Sequence, residues 1–305
     1  YMNKNKLNTL GLIHLCIVYV LWGSTYLAIR IAVQDGSGFP PMIMSATRVF
    51  AGSLILLGIA RFVKQESFHL TRKDTIVLAI SGLALWWIGN GLVALAETKV
   101  DSGYTALIIS CTPIWVAIIE SRLDRKRPSL QLTISLFIGI AGIAVLNWPA
   151  ISGGKIGDLR SAFMLIIAGL SWGAGSVYQK RSDIQSSPEI SSAVQQVFGG
   201  IALFVTSLLI NEPALSPSVS AWWAWGYLII FGSVNAFTSF VKALTLLPPN
   251  IVFTYAYVNP VIAVILGFII LNEPVTRWTL GGATLVIIGV LGVFKDQQKT
   301  ISLSH

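Results

Sequence analysis

The sequence predicts an all-α membrane protein: ten transmembrane helices arranged as two inverted five-helix repeats around a central cavity. Three observations carry that expectation. The 305 residues are 54% apolar and only 11% charged, about half the charged fraction of a soluble domain, with a mean hydropathy of +0.73. The apolar residues gather in runs of roughly 20, the length a helix needs to cross the hydrocarbon core. The second half of the chain also repeats the first.

The runs lie near 11–33, 41–61, 75–97, 102–121, 130–148, 158–179, 190–210, 221–241, 250–271 and 277–294, with short connections. The first is too long for the apolar region of a cleaved signal and contains Arg30, so it is expected to persist as a span. No lipidation motif is visible. With the amino terminus in the cytoplasm, fifteen of the 21 Lys and Arg fall on the cytoplasmic side. Only Lys99, Lys155, Arg160 and Arg277 fall outside, and Arg30 and Arg48 lie within spans. That asymmetry predicts cytoplasmic amino and carboxyl termini in a bacterial inner membrane. The net charge of +8 does not suggest a nucleic-acid partner, because the basic residues sit in short clusters between apolar runs. Cys16 and Cys111 each lie inside an apolar run, which excludes a disulfide framework.

The repeat divides the chain at 1–150 and 151–305. Trp22-Gly23-Ser24 recurs as Trp172-Gly173-Ala174, and Arg48-Val49-Phe50-Ala51-Gly52 as Gln196-Val197-Phe198-Gly199-Gly200. Thr112-Pro113-Ile114 recurs as Asn259-Pro260-Val261, and Gly142-Ile143 as Gly289-Val290. Five spans per copy is an odd number, so the second copy enters the membrane from the opposite side. Inverted repeats of this kind build many secondary transporters, whose sites lie at the midplane between the repeats.

The candidate site residues follow from that geometry. Pro113 and Pro260 lie mid-span, where a proline removes a donor and frees the carbonyl four residues earlier, at Ile109 and Ala256. Such breaks are tolerated where they face protein or a wet cavity. The pair is expected to act as hinges beside Ser110, Thr112 and Asn259; the alternative is a kink that only shapes the bundle. Trp22, Tyr26, Trp86, Trp172 and Tyr257 lie at similar depth and need partners for their polar ends, which a cavity supplies. Asn90 and Asn235 are buried in apolar spans, as ligand contacts or as interhelical glue. Arg48 is an intramembrane charge and hence a functional candidate. It either holds a substrate carboxylate or pairs with Glu97, the one carboxylate of similar depth. Otherwise the acidic residues avoid the spans, apart from Glu120 near an end, which favours facilitated diffusion or exchange over proton coupling.

An enzyme is not expected. His14, His69 and His305 are scattered, no HExxH or Walker motif occurs, and neither metal nor cofactor is called for. The expected partners are a small-molecule substrate and the lipid bilayer, and the expected state is a monomer.

At these same residues the chain resembles the EamA family of the drug/metabolite transporter superfamily. The resemblance rests on Trp22-Gly23-Ser24-Thr25-Tyr26 with Arg30, Gly89-Asn90-Gly91, Thr112-Pro113, Ser171-Trp172-Gly173 and Tyr255-Ala256-Tyr257-Val258-Asn259-Pro260. Asn272-Glu273-Pro274 is similar to the family's acidic turn before its last helix; the matching turn of the first repeat, Asp124-Arg125-Lys126-Arg127, lacks the usual Glu. The resemblance implies ten helices, cytoplasmic termini, a basket-shaped cavity, and export of amino acids, related metabolites or drugs.

Overall fold

The computed structural model describes residues 7–66, 68, 70–100, 102–153, 159–262 and 276–303, and among these there is no β-strand. Among the same residues, eight helices are long and apolar enough to cross a membrane. In chain order the first three are α1 (Thr9–Val33), α2 (Pro41–Val63) and α3 (Arg72–Ala96). Then come α4 (Tyr104–Asp124) and the shorter apolar α5 (Leu130–Leu146). The second half contains α6 (Leu159–Arg181), α7 (Pro188–Leu209) and α8 (Val219–Leu246). A two-piece α9 comes next, Pro249–Val252 and then 255–262. The last is α10 (Arg277–Leu303). The expected ninth span at 250–271 is described only as far as 262, and the turn Asn272-Glu273-Pro274 lies outside the described residues.

The helix starts are set by local chemistry. Asn8, Thr71, Ser129, Ser187 and Ser218 each cap a helix, their side-chain oxygens accepting from a backbone N–H three residues on. This is the usual way an orphan donor of the first turn is satisfied. Pro41 opens α2 without a cap of its own. Glu212, in the connection after α7, takes over that role: its carboxylate oxygens accept from Met42 N at 2.8 Å and Ile43 N at 2.9 Å. A negative charge at a helix amino terminus is favoured by the exposed N–H groups and by the helix dipole.

Three helices contain a π-helical stretch, α2 at its end over Ile59–Val63 and α3 and α8 at matching places in the two halves. A π-helical stretch runs over Leu83–Asn90 in α3 and another over Leu228–Ala236 in α8. A π turn shifts the phase of the residues beyond it and recurs at functional sites. Both stretches lie against the centre of the bundle, where α3 meets α6 and α7, and α8 meets α1 and α2. By contrast α5 and α10 form a tight pair. At Gly142 an added Cβ would lie 2.7 Å from Val286 N and 2.9 Å from Gly282 O, so only glycine permits the helix backbones to come this close.

The two proline segments differ from each other. The helix of α4 stops at Ile109 and restarts at Thr112, which puts Pro113 in the first turn of a new helix, where a missing N–H costs nothing. The carbonyl of Ile109 is not left open: Thr112 Oγ1 donates to it at 2.7 Å. In the second half the interruption falls at Phe253–Thr254, and Pro260 lies within the helical stretch 255–262. Thr254 Oγ1 donates to the Ile251 carbonyl there, at 2.5 Å. Threonine side chains thus take up carbonyls at both interruptions.

Candidate functional site

A cavity of about 60 Å³ lies at the middle of the bundle. Trp22, Thr25, Tyr26 and Ile29 of α1 line one side, successive positions of one helix face. Arg48 enters from α2, and Trp86, Gly89, Asn90 and Val93 from α3. Ile109 and Thr112 flank the break in α4; Ala168, Gly169 and Trp172 come from α6, and Tyr255 from α9.

Three tryptophans, one of them from the second half, form the apolar wall. Trp22 meets Trp172 edge-on at 5.5 Å and Tyr255 at 4.9 Å, and Trp86 meets Trp172 at 6.2 Å. Phe237 and Phe240 of α8 back this cluster, at 6.2 and 5.8 Å from Trp172. T-shaped pairs of this kind add about 0.5–1.5 kcal/mol each beyond burial.

Arg48 is the charged member and is only 2% exposed. Its Nε donates to Ser233 Oγ at 2.9 Å, and its guanidinium lies over the Trp86 ring at 5.4 Å. Gly232 makes room for it, since a Cβ at that position would stand 2.8 Å from Nη2. The π-widened turn of α8 therefore supplies both the tether and the space. Gln196, the residue that matches Arg48 in the second repeat, converges on the same turn: its Nε2 donates to the Ser233 carbonyl at 3.0 Å. The alternative reading of Arg48 as the ion-pair partner of Glu97 does not hold. No carboxylate oxygen lies within 4.0 Å of its guanidinium among the described residues, and Nη1 is buried without a hydrogen-bond partner.

Nη1 has company. Trp86 Nε1, Trp172 Nε1 and Asn90 Oδ1 are also buried and unpartnered, and all four atoms belong to residues that line the cavity. Buried polar groups are nearly always satisfied, so three donors and one acceptor left open on residues of one cavity mark it as the candidate site. The donors suit a carboxylate and the acceptor suits an ammonium or hydroxyl.

Of the residues expected from sequence, the cavity gathers Trp22, Tyr26, Arg48, Trp86, Asn90, Thr112 and Trp172. Four others lie elsewhere. Asn235 faces outward, and its Nδ2 donates at 2.7 Å to the Ile230 carbonyl of the widened turn. Tyr257 donates to the Leu136 carbonyl at 3.2 Å and presses its ring on Gly139 of α5. Ser110 donates to the Leu107 carbonyl at 2.5 Å. Asn259, with its amide nitrogen turned inward, donates to the carbonyls of Tyr19 and Tyr255 at 3.2 and 3.0 Å and so braces α9. Sequence reasoning missed Thr25, Gly169 and Ser233. The correspondence of Arg48 with Gln196 was the available signal for Ser233, because two polar residues at matching positions need a common partner. No group of three or more His, Cys, Asp or Glu that could hold a metal is found among the described residues.

The described residues thus form a bundle of membrane-length helices around a partly polar cavity, the class of a polytopic helical membrane protein. Residues 9–148 and 159–295 each match the EamA-like transporter family, and the chain belongs to that family. It is 31% identical to the uncharacterized inner membrane transporter YedA of Escherichia coli (strain K12), over 93% of this chain and 92% of that protein. It is 26% identical to the uncharacterized transporter YetK of Bacillus subtilis (strain 168), over 94% and 87%. Against YoaV of the same organism the identity is 22%, over 90% and 92%. The fold matches a solved crystal structure with a TM-score of 0.77 at 16% identity, covering 95% of this chain and 99% of that one.

Proposed function

We propose that the chain is a secondary transporter that exports small organic metabolites, amino acids or related drug-like compounds, by alternating access. On this reading ten helices in two inverted repeats, 1–150 and 151–305, enclose the site, and both termini face the cytoplasm of a bacterial inner membrane. The protein works as a monomer and catalyses no reaction. The paired family matches support the duplication, as do the π-widened turns at equivalent places in α3 and α8. The observation that carries the substrate class is the open constellation on the cavity. Arg48 Nη1, Trp86 Nε1 and Trp172 Nε1 donate and Asn90 Oδ1 accepts, against an aromatic wall that takes an apolar side chain. A carboxylate at Arg48 with an amino group near Asn90 matches that arrangement. Counterflow in proteoliposomes with a panel of labelled amino acids tests this. Exchange of at least one of them, with apparent affinity for the free carboxylate weakened about tenfold or more in Arg48→Gln, is expected; a panel that only cationic or neutral compounds satisfy would overturn the assignment.

A further inference from the structure

A second cavity, of about 230 Å³, lies between the end of α6, the start of α7 and the end of α8. Lys180 and Asp183 bring opposite charges to its lining, and Gln179 and Ser191 bring neutral polar groups. Val241 and Leu244 of α8, both buried, form an apolar wall. The cavity stands in line with the central one. Gln179 comes seven residues after Trp172, on the same face of α6 and about 10 Å further along it. On α8, Val241 and Leu244 follow Phe237 and Phe240 at helical spacing on one face. A layer of three rings, Trp172, Phe237 and Phe240, therefore lies between the two cavities, with centroids 5.8 to 6.2 Å apart. Beside that layer, Gln195 Nε2 donates to Gln179 Oε1 and to Ser81 Oγ, both at 2.8 Å. Gln195 is 0% exposed, and its Oε1 is buried without a partner, one bond away from the lining.

Lys180 and Asp183 are three residues apart, yet they do not pair within 4.0 Å. Lys180 Nζ donates instead to the Thr245 carbonyl at 2.9 Å, which leaves its other donors open. Arg181, between them, does not compete for Asp183, because it is turned to Asp124 at 2.8 Å and Glu120 at 3.4 Å on α4. On an open surface water alone would satisfy two such charges. Here both border one cavity with an apolar wall, so a ligand that carries both charges and an apolar group meets every part of the lining. We propose that the second cavity is a binding site for zwitterionic amino acids with apolar side chains, where they load from the cytoplasm before reaching the central cavity. This rests on the carrier reading and the orientation proposed above. The carboxylate takes the open donors of Lys180, the ammonium takes Asp183, and the side chain lies on Val241 and Leu244. Passage onward requires the ring layer to part, and the Gln179–Gln195 pair offers amide groups to the charged end as it goes by. A molecule with one of the two charges satisfies only one of the two residues.

Protection of a cysteine from alkylation tests this at equilibrium, on the purified full chain in nanodiscs and without any transport. Thr245→Cys puts a thiol on the cavity, in a chain that also carries Cys16→Ser and Cys111→Ser. Leucine, methionine and phenylalanine are the probes, against an impermeant maleimide. At least one should slow the alkylation, and should still slow it when Arg48→Gln is added, because the central site is not involved. Lys180→Gln and Asp183→Asn should each raise the half-protecting concentration about tenfold or more, as should the methyl ester in place of the free acid. No protection by any probe, protection that vanishes with Arg48→Gln, or protection unmoved in both charge variants overturns the proposal. Should Lys180→Gln fail to insert, Asp183→Asn decides alone, since Asp183 lies past the end of α6. Nanodiscs of phosphatidylethanolamine and of phosphatidylcholine separate out a lipid occupant: alkylation that differs between them and ignores the amino acids assigns the cavity to a headgroup and overturns the proposal. Failed amino-acid counterflow with protection intact would count against the carrier reading alone. Intact counterflow without protection would remove only this second site.

Discussion

Replacing Trp172 by Ala removes the centre of the aromatic wall. The ring contacts Trp22, Trp86, Phe237 and Phe240 at centroid distances between 5.5 and 6.2 Å. Truncating a packed aromatic to Ala costs about 3–5 kcal/mol in a closed core. Trp172 is half-buried with one face on the cavity, so a folding loss near the bottom of that range is expected. The substrate loses stacking area worth about 1–3 kcal/mol, which corresponds to roughly 5- to 150-fold in affinity. Trp172→Phe separates the two effects. It keeps most of the ring contacts and loses only the Nε1 donor, about 1 kcal/mol or roughly fivefold. The assay is counterflow and equilibrium binding on purified variants, alongside thermal unfolding in detergent. Parental affinity and exchange rate in Trp172→Ala, with the protein folded, would refute the placement of substrate against this wall.

The same geometry sets other expectations. Ser233→Ala removes the Nε tether of Arg48, a bond to a charged group worth about 1.5–3 kcal/mol; affinity for carboxylates should fall about tenfold or more while helix content stays constant by circular dichroism. Gly232→Ala puts a methyl 2.8 Å from Arg48 Nη2 and should weaken the same binding through displacement of the guanidinium, an effect that Arg48→Gln should mask in a double variant. Glu212→Ala uncaps α2 and should cost about 0.5–2 kcal/mol, read as a lower unfolding temperature with unchanged substrate selectivity. For topology, a cysteine at Arg125 should resist an impermeant reagent applied to intact cells and one at Ser152 should react; the reverse pattern would invert the orientation.

Much of this protein was legible in its sequence because the bilayer penalises polarity so heavily. Arg48, Asn90 and the three tryptophans stand out in apolar runs, and the cavity gathers them. Four features were not legible, each for a local reason. Asn235 was expected inside because it lies in an apolar span, but it faces outward and its carboxamide is taken up by the Ile230 carbonyl of the π-helical stretch, a bonding pattern that no apolar run reports. The carbonyl freed by Pro113 was expected to serve the site, but the neighbouring Thr112 hydroxyl satisfies it first. Glu97 was read from its depth as a possible partner of Arg48, but the structure buries it completely with no salt bridge to that guanidinium among the described residues, a separation that depth along a helix does not report. Ser233 is a small residue in an apolar stretch and acquires meaning only through the arginine it holds.

The most direct test of the central claim compares wild type with Arg48→Gln in proteoliposome counterflow, using one exchanging amino acid and its methyl ester. The account predicts that the wild type exchanges the free carboxylate with at least about tenfold higher apparent affinity than the ester, and that Arg48→Gln erases the difference. Equal affinity for acid and ester in the wild type, or a preference that survives loss of Arg48, would contradict it.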